Sequence, residues 1–278
     1  MKNNLSKIGV VFLSWKSNKT LKNSLLKFTQ ELTSSLFNDA LIYFQEISSS
    51  DSGLAKEFGF RAEGNDQNVG ILHGMKQAIS QVKAKFILYL ECDCVLVEDN
   101  ESAIKILSDS LEEIRQNNIN VMRLRHLKKG GADYTPYKHL RYWPDVDNRS
   151  DFRKLLNRCF RPFKAQRLIG EACLVHKHAE QKFPSESELL PSSHYKISSR
   201  NLNWTNQSIM FRKDWFLDTI IPFAESQNSS RFVNGFPDLE KELNCHWWRK
   251  QDFKVGWANP GLFTHQRMDR PAEDEKNI

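Results

Sequence analysis

Apolar positions in the first hundred residues alternate between two periods. The run "KIGVVFLSW" (7–15) is continuous, β-branched and of strand length, and "NKTLKNSLLKFTQEL" (18–32) then spaces its leucines as a helix does. "ALIYFQE" (40–46) reads as a second strand, followed by a polar turn, "ISSSDSG" (47–53). After "NDQNVG", the stretch "ILHGMKQAISQVKA" (71–84) predicts a helix and "KFILYLE" (85–91) a third strand. The order β-α-β-α-β argues for an α/β fold: a mostly parallel sheet with helices on both faces and ligands bound where the strands end.

Beyond Asn100 the pattern continues with a helix, "ESAIKILSDSLEEIRQN" (101–117), and a strand, "NVMRLRHL" (120–127). The stretch 128–151, rich in Gly, Pro and aromatics, reads as a long loop of the kind that forms lids or binding loops. The C-terminal third holds an apolar segment (207–216), an acidic cluster, "GFPDLEKELN" (235–244), one last short strand, "FKVGWANPGLFTH" (253–265), and a polar tail expected to fray.

At 278 residues, 40% hydrophobic and 27% charged, the chain can bury a full core. No apolar stretch reaches the roughly 20 residues of a membrane span, and the start lacks a secretory pattern, so a cytoplasmic location is expected. Five cysteines suit a reducing compartment; Cys92 and Cys94 have no second pair at zinc-ligand spacing and read as packing thiols.

The net charge of +6 is concentrated. "RSDFRKLLNRCFRPFKAQR" (149–167) carries seven basic residues against Asp151, an excess equal to that of the whole chain. Phe152, Leu155, Leu156, Cys159, Phe160 and Phe163 recur there at helical spacing, and Pro162 limits any helix to about three turns. Such a helix can lie at the inner face of an anionic membrane, can pack its apolar face on the core, or can offer its charges to phosphates.

Acids gather where strand-like runs stop: Glu46 and Asp51 after the second strand, Glu91 and Asp93 after the third. A buried carboxylate is costly unless neutralised, so such strand ends face water or a metal. Glu98 and Asp99 instead begin a helix, where acids suit the dipole.

The order of these landmarks resembles the nucleotide-sugar glycosyltransferases of the GT-A (Rossmann-like) fold, the family 2 type above all. The resemblance runs from about Ile8 to Arg267 and is dense over the first hundred residues. "LSWKSN" is similar to the strand end that opens the family's nucleotide site, which implies Ser14 and Trp15 at the donor. "FQEISSSDSG" resembles its acidic turn, implying Glu46 and Asp51, and "NVGILHGM" its Asn-Gly helix start, implying Asn68 and Gly70. "ECD" fits its acid-x-Asp motif with Glu for the first Asp, which leaves Glu91 to a metal or a ribose hydroxyl and makes Asp93 the safer ligand. Two carboxylates at i and i+2 on a strand end suit a hard cation, Mn²⁺ or Mg²⁺, that also binds diphosphate oxygens.

Two later motifs extend the likeness. "GFPDLEKELN" is similar to the family's acidic helix start, implying Asp238, with Glu240 as the alternative, as base for an acceptor hydroxyl; helix-start acids need no such role. "GLFTHQR" supplies His265, similar to the C-terminal histidine that completes the family's metal site.

The resemblance thus implies one domain over 1–278, with a nucleotide-binding half at 5–100 and an acceptor-binding half at 101–270. It further implies a metal-dependent, inverting transferase using a UDP-sugar and a glycan or lipid-linked acceptor. A sugar-phosphate nucleotidyltransferase would need a Gly-rich N-terminal loop followed by arginine, which this sequence lacks. A nucleic-acid-binding protein using 149–167 would leave the acidic strand ends unexplained, so no nucleic acid is expected.

Overall fold

The computed structural model describes residues 4–131, 136–143, 152–176, 178–227, 232–233 and 235–269. Its first half runs β1 (Ile8–Trp15), α1 (Asn18–Glu31), β2 (Asp39–Gln45), α2 (Ser49–Glu57), β3 (Arg61–Asn65), α3 (Gly70–Gln81), β4 (Phe86–Glu91), β5 (Cys94–Leu96) and α4 (Asn100–Arg115). Then come β6 (Val121–Arg123), α5 (Phe152–Phe160), α6 (Pro162–Arg167), α7 (Ile169–Val175), α8 (Ala179–Lys182), β7 (Ser187–Leu189), β8 (Tyr195–Ser198) and β9 (Ile209–Arg212). A helical stretch from Lys213 to Glu225 comprises α9 (Lys213–Trp215), a π-helical turn and α10 (Ile221–Glu225). The chain closes with β10 (Phe232–Val233), β11 (Phe236–Pro237), α11 (Leu239–Leu243), α12 (His246–Gln251), β12 (Lys254–Trp257) and β13 (Phe263–His265).

Nine strands form one sheet in the order β3-β2-β1-β4-β9-β6-β12-β8-β7. Following the pairings across it, seven strands run one way, while β9 and β8 are antiparallel to their neighbours. The expected mostly parallel sheet is therefore present, with strands from both halves of the chain. Side-chain parity divides the core into two layers. Val10 and Phe12 of β1 and Leu88 and Leu90 of β4 pack with α1 and α4, whereas Val11, Leu13, Ile87 and Tyr89 pack with α3 and the C-terminal helices. Phe12 meets Phe28 edge-on at 5.6 Å, a geometry the ring quadrupoles favour.

Three expectations are corrected. The polar stretch after β2 is not only a turn: it starts α2 and leads to β3, so "KFILYLE" is the fourth strand. The helix forms because Ser48 and Asp51 make a reciprocal capping box, the Ser48 side chain accepting from the Asp51 N–H at 3.3 Å and Asp51 accepting from the Ser48 N–H at 2.9 Å. β3, "RAEGN", lies at the sheet edge with every residue half-buried, so it carries no apolar alternation to read. The final segment is two strands: β12 joins the main sheet, and β13 pairs antiparallel with β5.

The third correction concerns α5. Its apolar residues do not pack on the core: Phe152 is 69% exposed and Phe160 81%. Much of the long loop at 128–151 lies outside the described residues, and within it 136–141 form a 3₁₀ turn. Trp204, Trp248 and Trp257 are core residues, each at most 2% exposed, and no helix among the described residues is long and apolar enough to cross a membrane.

Asp51 is thus occupied within its own helix. Asp51→Ala is expected to lower stability by about 1 kcal/mol in urea unfolding and to leave ligand affinity at the cleft described below unchanged in calorimetry.

Candidate functional site

The site begins at the ends of β1 and β4, which lie side by side with Leu13 opposite Glu91. Glu91 shares the parity of Ile87 and Tyr89 and so belongs to the α3 side of the sheet. The chain then reverses over Cys92 and Asp93. The Cys92 N–H donates to the Leu13 carbonyl at 3.0 Å, and the Ser24 hydroxyl donates to the Cys92 carbonyl at 2.7 Å. This clamp sets the direction of β5, whose antiparallel partner β13 places His265 opposite Cys94. The Gln266 N–H closes the corner on the Asp93 carbonyl at 2.9 Å.

Asp93 and His265 consequently meet, with Nε2 to Oδ2 at 2.7 Å. Gly131 permits the approach from the other side: its φ is +79°, and a Cβ there would lie 2.2 Å from the His265 carbonyl oxygen. One ligand atom from each of Glu91, Asp93 and His265 lies within 4.8 Å of the others. Asp93 is 5% exposed, and its Oδ1 is buried with no hydrogen-bond partner. Leaving a carboxylate oxygen bare costs more than an ordinary lost hydrogen bond, so this oxygen suits a cation.

The electrostatics agree. Burial first, then the charges of Asp93, Glu240 and Asp238, push the Glu91 carboxyl well above the usual range, and Arg267 opposes them. A divalent ion inverts that balance. The nearby thiols suit it less: burial also pushes Cys92 and Cys94 upward, so both stay protonated as packing groups.

Glu91 and Asp93 line a cleft of about 310 Å³. Ser14, Trp15, Asn68, Gly70 and Asp238 stand on its walls. The Ser14 hydroxyl is buried without a hydrogen-bond partner. Asn68 Oδ1 accepts from the Gly70 N–H at 2.8 Å and so opens α3; Gly70 has φ +77°, and a Cβ there would sit 2.4 Å from Phe236 Cβ. Only glycine fits where this helix start meets β11.

Two implied donor residues lie elsewhere. Asp51 is in the capping box of α2, outside the cleft lining. Glu46, at φ +61°, accepts from the Trp15 indole N–H at 3.0 Å and pairs with Lys16 at 2.7 Å, contacts that hold its carboxyl below the usual range, Lys16 contributing most. It braces Trp15 from behind, and its neighbour Gln45 faces the cleft instead, with Oε1 accepting from the Val69 N–H at 2.9 Å.

Asp238 caps α11, Oδ1 accepting from the Glu240 N–H at 3.1 Å. Glu240 is half-buried and does not line the cleft; burial and then Asp238 raise its carboxyl, with Arg123 and a hydrogen bond from Thr205 opposing. Gln45 and Arg267 are among the cleft residues that motif reading passed over. Arg267 had one available signal, its i+2 spacing from His265 in an extended segment.

No protein-family model matches the chain, and no curated protein matches it in sequence. Solved structures do. S. aureus TarS 1–349 in complex with UDP-GlcNAc aligns over 98% of this chain and 62% of its own, with TM-score 0.52 and 12% identity. A second structure of S. aureus TarS 1–349 aligns over 94% and 60%, with TM-score 0.50 and 11% identity. The chain spans about three fifths of the length of these structures. At such identity the likeness is one of fold: the chain has the α/β, GT-A-like glycosyltransferase fold, with a large, mostly parallel central sheet.

Proposed function

We propose that the protein is a metal-dependent glycosyltransferase that moves a sugar from a UDP-sugar to a hydroxyl of a glycan or lipid-linked acceptor, inverting the anomeric centre. The observation that carries this reading is the convergence of Glu91, Asp93 and His265 at the edge of the sheet where β1 and β4 end, beside a cleft. A structure of the same fold in complex with UDP-GlcNAc supports the choice of donor.

Asp93 and Glu91 would hold Mn²⁺ or Mg²⁺ with His265, the bare Asp93 Oδ1 being the clearest open ligand position. A bound cation supplies charge neutralisation for the departing diphosphate. The remaining roles belong to the chain. The Ser14 hydroxyl and the Asn68–Gly70 turn shape the nucleotide wall, Trp15 offers its ring there, and Arg267 adds positive charge. Asp238, also on the cleft lining, takes the proton from the acceptor hydroxyl as it attacks the anomeric carbon, and the nucleotide leaves from the opposite face of that carbon. Glu240, set back from the wall, is the alternative base.

A thermal-shift titration with UDP tests the donor site. Wild type is expected to melt higher with UDP and Mn²⁺ together than with either alone, by the mass-action stabilisation of a ligand that binds only the folded state, and Asp93→Ala is expected to lose that gain. A shift from UDP that is indifferent to Mn²⁺ and to Asp93 would remove the metal from the scheme. Asp238→Asn is expected to lower kcat by about 10²- to 10⁴-fold, with the UDP shift retained; if Glu240→Gln shows that loss instead, the base is Glu240.

A further inference from the structure

α5 is mounted with its polar side inward. Phe152, Leu155, Leu156, Cys159 and Phe160 follow i, i+3, i+4, i+7, i+8 spacing and share one face, while Arg153, Lys154, Asn157 and Arg158 share the other. Bonds to the body come from that polar face. Asn157 Nδ2 donates to the Arg141 carbonyl at 2.9 Å, and Arg158 Nη1 donates to the Tyr142 carbonyl at 2.7 Å, with its guanidinium 5.0 Å over the Trp143 ring. Trp143 in turn donates to the Ala165 carbonyl at 2.9 Å and seats α6. The apolar face is left to solvent, and Phe160 and Phe163, at the corner between the two helices, are each 81% exposed.

We infer that this corner is a docking surface for an anionic lipid bilayer, a partner beyond the sugar-transfer reading and independent of it. Charge complementarity identifies the occupant. From Phe152 to Arg167 the chain carries six basic residues and no acid, and Arg153, Arg161, Lys164 and Arg167 are exposed. A second copy fits poorly, because an isologous contact through this patch would set Arg and Lys against Arg and Lys. An apolar face flanked by cations matches the boundary between acyl chains and anionic headgroups, where phenylalanines enter and basic side chains stay with the phosphates.

The test is co-sedimentation of the full chain with vesicles of phosphatidylcholine alone and of equal parts phosphatidylcholine and phosphatidylglycerol. Binding to the anionic vesicles only, released by salt, is expected. Phe160→Ser/Phe163→Ser should lower the partition coefficient about a hundredfold, and Arg161→Gln/Lys164→Gln/Arg167→Gln should do so by a similar factor. Circular dichroism should show both variants folded, since the altered side chains are exposed; if one fails to fold, the other still decides. Absence of sedimentation with both vesicle types, or wild-type binding in a folded variant, overturns the inference. So does a concentration-dependent dimer that Phe160→Ser/Phe163→Ser abolishes, since the face would then belong to a second copy.

Discussion

The antiparallel pairing of β5 with β13 is the constraint on which the site depends. It joins a reversal after the fourth strand to a segment some 170 positions later, and without it Asp93 and His265 would have no reason to meet. Each backbone bond at the corner is ordinary. Their sum is an unusual placement: a nearly buried carboxylate with one oxygen on an imidazole and the other bare. The backbone bonds of the corner hold this arrangement in place, and a buried polar atom left without a partner marks a position where a ligand can bind.

How far the sequence could be read depended on the type of signal. The β1–α1–β2 beginning and the α3–β4 unit were legible because continuous apolar runs and a helical leucine period are direct consequences of two-sided burial. α2 and β3 were not. α2 is held by a polar capping box within a Ser-rich stretch that mimics a turn, and β3 has the composition of an edge strand. At the site, "ECD" and the later histidine were legible as motif pieces, whereas Gln45 reaches the cleft with no local pattern and Arg267 with only its spacing from His265. Glu46 shows the limit of alignment by motif. It stands one position beyond the residue that faces the cleft, and its left-handed backbone turns it toward Trp15 and Lys16.

Charge is distributed with the same economy. Asp93, Glu240 and Asp238 all push the Glu91 carboxyl upward, and Asp238 does the same to Glu240. Arg123 and Arg267 are the cations that oppose them from within. An excess of negative potential in a cleft favours a cation, and a cation in turn favours a diphosphate. The basic excess of the chain is spent elsewhere, on a helical pair held to the body by polar contacts.

That separation bears on the acceptor. α5, α6 and α7 follow one another almost without interruption, and α7 carries Glu171, whose charge is felt at Glu240. The exposed corner and the helix whose charge reaches Glu240 therefore belong to one short helical tract. A bilayer that holds the corner would then also orient α7, and with it the surroundings of Glu240. Under the proposed transfer to a lipid-linked acceptor, that orientation would restrict the directions from which the acceptor arrives and raise its effective concentration at the proposed base without any new contact in the cleft.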